Sequence, residues 1–193
     1  MIDHICSQLN NYSNLGIACL YADYKDQSNQ TLVPILGSIL RQFLTSAQAP
    51  IPDEVIHKLR NIQRQGTKIK TEDILALLKI QLHQLKCAFI CIDAVDELEP
   101  KVRQQVLNVL KELVMSNKNT RLFLTARGHV KNEVEKRFNV APEYRAEINA
   151  SRQDLQQFVR KQIKEDNDLN PEAMDAVLAK DIEDAIIENS KGM

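Results

Sequence analysis

The 193-residue chain alternates between short apolar runs and stripes of apolar residues spaced three or four positions apart. A short run bounded by polar residues is typical of a buried strand, and a stripe is typical of an amphipathic helix. Strands are predicted at about 15–24, 87–92, 121–125 and 144–148, with helices at about 31–46, 53–65, 71–85, 100–113, 130–138, 151–163 and 170–186. This alternation predicts an α/β domain over 1–150, a parallel sheet with helices on both faces, and a helical extension over 151–193.

Single residues mark the ends of several predicted helices. Pro100 opens a helix, because the missing N–H costs little in the first turn, and Gly66 ends another. Thr71 is predicted to cap the helix that follows it. Ser151 and Asp154 have the spacing of a capping box, which predicts a helix start there.

The run Cys87–Leu98 carries the strongest chemical signal in the sequence. Six uncharged residues precede Asp93, and two further carboxylates follow at Asp96 and Glu97. A strand of that composition is buried on both faces of a sheet, so Asp93 is expected where the strand meets solvent. Proteins of the α/β class bind their ligands at that end of the strands.

Carboxylates at the end of a buried strand suit the binding of a hydrated Mg²⁺ against phosphates, and the pattern is that of a Walker B segment. In this interpretation Asp93 binds the metal, and Asp96 and Glu97 polarise a water molecule. The alternative is a solvated acidic turn that opens the next helix, where carboxylates accept hydrogen bonds from free backbone N–H groups.

Arg127 follows the predicted strand 121–125, 34 positions after Asp93. Neighbouring parallel strands end at one edge of a sheet, so Arg127 is expected close to Asp93 and within reach of a γ-phosphate. The alternative is a surface arginine that pairs with Asp96 or Glu97.

Composition excludes several classes of partner. The 25 basic and 26 acidic side chains give a net charge of -1, so we expect no general attraction to nucleic acid or to an anionic membrane. No apolar run approaches the roughly 20 residues that span a bilayer, and the first residues lack the pattern of a secretory signal. We expect a cytoplasmic protein.

The spacing of the four cysteines is the one expected for a protein in a reducing compartment. They form neither a Cys-x-x-Cys pair nor a regular disulfide framework. His83, Cys87 and Cys91 are four positions apart, but the chain changes from helix to strand between them. We therefore do not expect them to converge on a metal.

Five segments occur in an order that resembles one family of proteins. They are Leu20–Gln27 with Gln30 and Thr31, Ile90–Glu97, Leu124–Arg127, Ile148–Ser151 with Asp154 and Leu155, and Asn189–Met193. Together they resemble the NACHT domains of the STAND class of P-loop NTPases, and in particular the nephrocystin-like fungal type that often precedes ankyrin or other repeats. The resemblance covers nearly the whole chain.

The resemblance implies a nucleotide-binding switch in signal transduction, using ATP or GTP with Mg²⁺. It assigns the metal to Asp93, the orientation of water to Asp96 and Glu97, and the sensing of phosphate to Arg127. It also implies partners that are other protein domains or further copies of the chain.

One motif of that family does not occur in the 193 residues. The phosphate loop G-x-x-x-x-G-K-[ST] binds phosphate through backbone N–H groups and a lysine, and none of the five glycines here precedes a lysine. We therefore expect the chain to start just after that loop, with 2–9 as the end of the following helix, and not to hydrolyse nucleotide by itself. The family's strand order 5-1-4-3-2 then predicts four strands, with 144–148 either closing the gap or detached.

Two other functions remain open at this level. The chain could be a non-enzymatic module for protein interaction, with the acidic segment as an ancestral remnant. It could also be a metal-dependent phosphatase or nuclease that uses Asp93, Asp96 and Glu97 directly. That chemistry requires a denser acidic cluster, to which the strand ends add only Asp23 and Asp26.

Overall fold

The computed structural model describes residues 14–46, 50–148, 151–169 and 175–189. The chain divides into two compact units, Met1–Val140 and Ala141–Met193. Within the described ranges, no helix has the length and apolar character needed to cross a membrane. The predicted helix end at 2–9 and the predicted helix start at Asn170-Pro171 lie outside the described residues.

The first unit contains a parallel sheet of three strands in the order β1-β2-β3. The strands are β1 (Leu15–Tyr21), β2 (Cys87–Asp93) and β3 (Thr120–Leu124). Tyr21 is in register with Asp93, and Ile92 is in register with Leu124. The α/β class is confirmed, and the strand order is the one predicted for these three segments.

Helices connect the strands and pack on the sheet. In the first unit they are α1 (Leu32–Ser46), α2 (Asp53–Gln65), α3 (Thr71–His83), α4 (Pro100–Ser116) and α5 (Lys131–Phe138). The second unit contains α6 (Arg152–Leu169) and α7 (Ala176–Asn189). The helices α1 to α3 lie between β1 and β2, and α4 lies between β2 and β3. Such helical crossovers are required because a tight turn cannot join parallel strands.

The core of the first unit lies where one face of the sheet meets α1, α3 and α4. Ala18 and Ile90 from that face are fully buried. The face also contains Gly16, where an added Cβ would lie 2.5 Å from Leu85 Cδ1 and 2.8 Å from Phe43 Cδ1. Glycine therefore permits a closer approach of helix to strand than any other residue would.

Three of the four predicted helix signals are confirmed. Pro100 is the first residue of α4, and Gly66 ends α2 in the left-handed region with φ 60°. At Ser151 the backbone N–H donates to Asp154 Oδ2 over 3.1 Å, and the Asp154 N–H donates to Ser151 Oγ over 3.1 Å. These contacts form the predicted capping box.

The cap predicted at Thr71 is wrong by one residue. Thr71 is the first residue of α3, and Lys70 is its N-cap, with extended backbone dihedrals. The carboxylate of Asp73 accepts the Lys70 N–H over 3.1 Å. An acceptor three residues into the helix thus moved the boundary by one residue.

The fourth predicted strand, at 144–148, is also wrong. Pro142–Tyr144 forms a 3₁₀ turn, and 145–148 has no regular structure. Tyr144 is 82% exposed and Ile148 is 83% exposed. Local alternation of apolar residues is not sufficient for a strand, because the strand also needs a paired neighbour and a surface on which to bury its apolar face.

Candidate functional site

The carboxyl ends of the three strands bring the sequence-predicted residues to one edge of the sheet. Asp93 is the last residue of β2, and the 3₁₀ turn Val95–Glu97 follows it. Thr125 to Arg127 follow β3, and the loop 22–30 follows β1. We call this region the carboxyl edge. Asp93, Asp96, Glu97 and Arg127 therefore come together, as their positions in the sequence predicted.

Thr125 fixes the position of Asp93. The Thr125 hydroxyl donates to Asp93 Oδ1 and accepts the Ala94 N–H over 2.8 Å. Two backbone hydrogen bonds hold the same segment, from Thr125 N to Ile92 O over 3.0 Å and from Val95 N to Thr125 O over 2.9 Å. Sequence reasoning did not select Thr125. The available signal was a hydroxyl residue at the end of the strand adjacent to the Asp93 strand.

Ala94 turns the chain sharply between the strand and the acidic residues. Its φ of 53° and ψ of 48° lie in the left-handed region, which a non-glycine residue adopts at a cost of about 1 kcal/mol or more. The hydrogen bonds of Ala94 and Val95 to Thr125 hold this conformation. Val95 is fully buried beside the turn. The turn therefore presents Asp96 and Glu97 toward the end of β3.

Arg127 pairs with both of these acids. Its Nη2 lies 3.3 Å from Glu97 Oε1, and its Nε lies 3.7 Å from Asp96 Oδ2. The Arg127 backbone N–H donates to Asp96 Oδ1 over 3.2 Å. The Arg127 side chain is 75% exposed, whereas those of Asp96 and Glu97 are 4% and 19% exposed. The geometry is thus that of the alternative interpretation, in which Arg127 pairs with neighbouring acids.

Glu97 also holds the loop after β1. Its Oε2 accepts the Tyr24 N–H over 3.3 Å, and its backbone carbonyl accepts from Gln27 Nε2 over 2.8 Å. Both carboxylate oxygens of Glu97 therefore have partners. Glu97 joins the loop after β1 to the segment after β3.

Arg103 supports the acidic turn from the first helical turns of α4. Its Nη1 donates to the carbonyl oxygens of Asp96 and Leu98 over 3.3 Å and 3.2 Å. Its Nε lies 3.1 Å from Glu133 Oε2 on α5. The Arg103 side chain is only 12% exposed. Sequence reasoning missed this residue, because its partners are mainly backbone carbonyls that a sequence pattern does not reveal.

These residues supply one candidate ligand for Mg²⁺ and not a complete site. Among the described residues, no three His, Cys, Asp or Glu side chains are arranged to hold a metal ion. Asp93 Oδ2 accepts no hydrogen bond from those residues and could act as one ligand, but Asp96 and Glu97 are engaged with Arg127. Octahedral Mg²⁺ would need its other ligands from water, phosphate or groups outside this set.

The acids after β1 do not extend the cluster. Asp23 Oδ1 accepts the Lys25 N–H over 2.9 Å, and Asp26 Oδ1 accepts from Asn29 Nδ2 over 2.7 Å. Both carboxylates therefore stabilise their own loop. The denser acidic cluster required by a two-metal phosphatase or nuclease is not formed by the described part of the chain.

A cavity of about 220 Å³ lies between α2 and α3, on elements other than the carboxyl edge. Its lining side chains are Lys58, Asn61, Ile62, Gln65, Asp73, Ala76 and Leu77. The single carboxylate in it, Asp73, accepts the Lys70 N–H at the start of α3. The residues that line this cavity therefore do not form a cluster of reactive side chains like that of the carboxyl edge.

The fold and the carboxyl edge define a parallel α/β protein with an acidic turn opposite a strand-terminal arginine. Residues 1–127 match the sequence profile of the family described as Nephrocystin 3, N-terminal, and the chain belongs to that family. The match includes the whole carboxyl edge and ends at Arg127. No curated protein matches the chain. The nephrocystin-like part of the sequence resemblance is confirmed.

Proposed function

We propose that this chain is part of a NACHT-type nucleotide-dependent signalling switch. The carboxyl edge would supply the metal and sensor half of its nucleotide site. The observation that carries this proposal is the convergence of Asp93, Asp96, Glu97 and Arg127 at one end of a parallel sheet, where α/β proteins bind ligands. Membership of the Nephrocystin 3, N-terminal family supports it.

Each residue has a distinct role in the proposed site. Asp93 would hold Mg²⁺, with Thr125 keeping its carboxylate in one orientation. Arg127 would contact the terminal phosphate of ATP or GTP, and Asp96 with Glu97 would orient the attacking water. A bound Mg²⁺ would neutralise charge that develops on the phosphates during transfer.

The other half of such a site is a phosphate loop, and the 193 residues contain no G-x-x-x-x-G-K-[ST] sequence. That loop supplies most of the phosphate contacts in P-loop proteins. We therefore expect the chain alone to bind ATP with a Kd of about 1 mM or weaker. We expect no measurable hydrolysis.

The decisive experiment adds a phosphate loop to the chain. A strand, phosphate loop and helix from another member of the family would be joined before Met1, and binding of a fluorescent ATP analogue with Mg²⁺ would be measured. We expect an affinity of about 1–100 μM for the extended protein. Asp93→Asn should abolish the Mg²⁺ dependence, and Arg127→Ala should reduce the preference for ATP over ADP.

Lys131→Ala is the matched control, because Lys131 is an exposed cation close to Arg127 in sequence. It should leave both properties unchanged. Binding that is insensitive to Asp93→Asn and Arg127→Ala would refute the assigned roles. Failure of the folded extended protein to bind nucleotide would refute the proposed function itself.

A non-enzymatic interaction module is the second candidate, and one observation favours it. Arg127 is already neutralised by Asp96 and Glu97, which suits a structural role for the edge. The extended protein separates the two candidates, since an interaction module should not gain nucleotide binding.

We further propose a cytoplasmic setting and protein partners, either other domains or further copies of the chain. The net charge of -1 favours neither nucleic acid nor an anionic membrane as a partner. Light scattering coupled to size-exclusion chromatography would test self-association. A monomer at every concentration would leave other domains as the proposed partners.

A further inference from the structure

Arg127 connects the proposed phosphate-sensing function to two acids that it already contacts. We propose that the Arg127 guanidinium, paired with Asp96 and Glu97, is a latch that phosphate opens. The inference rests on the proposed function, because the anion that opens the latch is the phosphate of the proposed site. In the closed state Arg127 covers Glu97, and in the open state the guanidinium binds the anion.

The geometry of the ion pairs allows the latch to open. The Arg127 side chain is 75% exposed, and its contacts of 3.3 Å and 3.7 Å are longer than strong guanidinium–carboxylate hydrogen bonds of about 2.8 Å. The guanidinium is exposed although Asp96 and Glu97 are 4% and 19% exposed, and ion pairs with an exposed partner and contacts this long are weak. A polyphosphate presents several charged oxygens with the bidentate geometry that guanidinium prefers, and it can therefore compete with two separate carboxylates.

The acidic turn keeps its position when the guanidinium leaves. Asp96 retains the Arg127 backbone N–H at 3.2 Å, and Glu97 retains the Tyr24 N–H at 3.3 Å. Arg103 holds the Asp96 carbonyl independently. Opening therefore requires rotation of one long side chain and leaves the backbone of the site intact.

Opening removes one contact from each acid, a hydrogen bond of 3.3 Å at Glu97 Oε1 and a longer ion pair of 3.7 Å at Asp96 Oδ2. Among the described residues, Glu97 Oε1 has Arg127 as its only partner, and the open state leaves this oxygen available to water. The other oxygen remains on Tyr24, whose side chain is exposed in the loop after β1. Phosphate binding would thus free one carboxylate oxygen of Glu97 while the other oxygen keeps its hydrogen bond to the loop after β1.

The test uses tripolyphosphate without metal and follows the ¹⁵N-labelled chain by NMR at the Arg127 Nε–H and the Tyr24 amide. Glu97→Gln keeps an acceptor for the Tyr24 N–H but removes the charge that holds Arg127. We expect it to strengthen tripolyphosphate binding by about fivefold, the upper range for release of an exposed ion pair. In an Arg127→Ala background the same substitution should have no effect.

Glu99→Gln is the matched control, because Glu99 is exposed two residues away and no side-chain partner is present for it in the described residues. It removes the same charge and should change binding by less than about twofold. Asp96 is kept intact in every variant, since replacing a carboxylate that is 4% exposed would test folding. The dispersion of the amide spectrum confirms that each variant is folded.

The outcomes separate the latch from the proposed function. If tripolyphosphate shifts the Arg127 resonance but Glu97→Gln and Glu99→Gln behave alike, the latch is wrong and the phosphate contact stands. If tripolyphosphate binding is unchanged in Arg127→Ala, both the latch and the phosphate contact assigned to Arg127 are wrong. If no variant responds up to about 20 mM, the carboxyl edge of this chain does not bind phosphate and the latch is wrong, whereas the proposed function is decided separately by nucleotide binding to the extended protein.

Discussion

At the residue scale, the Thr125 hydroxyl explains how a single carboxylate is held at the end of a buried strand. It satisfies Asp93 Oδ1 and the N–H of Ala94, a residue in the left-handed region. One side chain thus fixes both the orientation of Asp93 and the turn that leads to Asp96.

Thr125→Val tests that explanation, because valine keeps the shape and removes the hydroxyl. Two polar groups would lose their partner, and we expect the free energy of unfolding in urea to fall by about 1–3 kcal/mol. Thr125→Ser should restore most of the loss. Thr45→Val, at an exposed helix position, should cost less than about 0.5 kcal/mol, and a loss at Thr45 equal to that at Thr125 would contradict the assignment.

Arg103→Lys tests the support of the acidic turn. Lysine keeps the positive charge, but its single ammonium group cannot replace the planar guanidinium, which bonds the Asp96 carbonyl, the Leu98 carbonyl and Glu133. We expect a loss of about 1–2 kcal/mol in unfolding free energy, since these partners lie in a partly buried region.

Arg64→Lys is the control for Arg103→Lys. Arg64 lies exposed in the last turn of α2, and the exchange there should cost less than about 0.5 kcal/mol. Equal losses at the two sites would show that Arg103 does not act through its fork of hydrogen bonds.

At the element scale, α6 and α7 are joined by the ion pair of Arg160 with Glu183. Arg160 Nη2 lies 2.9 Å from Glu183 Oε1, and Arg160 Nε lies 3.0 Å from Glu183 Oε2. The hydrogen bond from Arg160 lowers the pKa of Glu183. At the start of α6, the hydrogen bonds from Ser151 lower the pKa of Asp154.

Both shifts predict a loss of helix stability in acid. A lowered pKa in the folded state contributes stability that is present above the unfolded pKa, about 4.3 for Glu and 3.9 for Asp. That stability is lost as the pH falls through the folded pKa. Circular dichroism of the chain between pH 7 and pH 3 should therefore show α6 and α7 weakening in this acid range.

Glu183→Gln should remove part of that acid dependence. Glu188→Gln, at an exposed position of α7, is the matched control and should leave the acid transition unchanged. If the acid transitions of Glu183→Gln and Glu188→Gln cannot be distinguished, the Arg160 pair does not contribute to the acid response.

The predicted helix boundaries and the predicted fourth strand had different outcomes. Helix boundaries at Pro100, Gly66 and Ser151 depend on contacts within one turn, and the sequence predicted them correctly. The strand at 144–148 was wrong because pairing depends on distant neighbours, and Tyr144 and Ile148 remain exposed.

At the scale of the whole molecule, the core of the sheet is contained in the first compact unit. The buried residues that form it run from Ala18 to Leu113, and Val134 and Phe138 of α5 pack against them. Val159 and Ile187 are buried residues of the second unit.

A chain of residues 1–140 should therefore unfold cooperatively by itself. We expect its amide spectrum to reproduce the β1, β2 and β3 resonances of the full chain, because the apolar burial that stabilises the sheet is retained. A non-cooperative urea transition, or loss of amide dispersion, would show that residues after 140 are required for the fold.

The sequence by itself determined the class of fold and the place of the chemistry. Hydrophobic periodicity identified the three strands, and their parallel connection brought Asp93, Asp96, Glu97 and Arg127 to one edge. Only the tertiary structure decided how these groups pair. Arg127 binds Asp96 and Glu97, and Thr125 holds Asp93, because the register of β2 and β3 brings residues about 30 positions apart within hydrogen-bond distance.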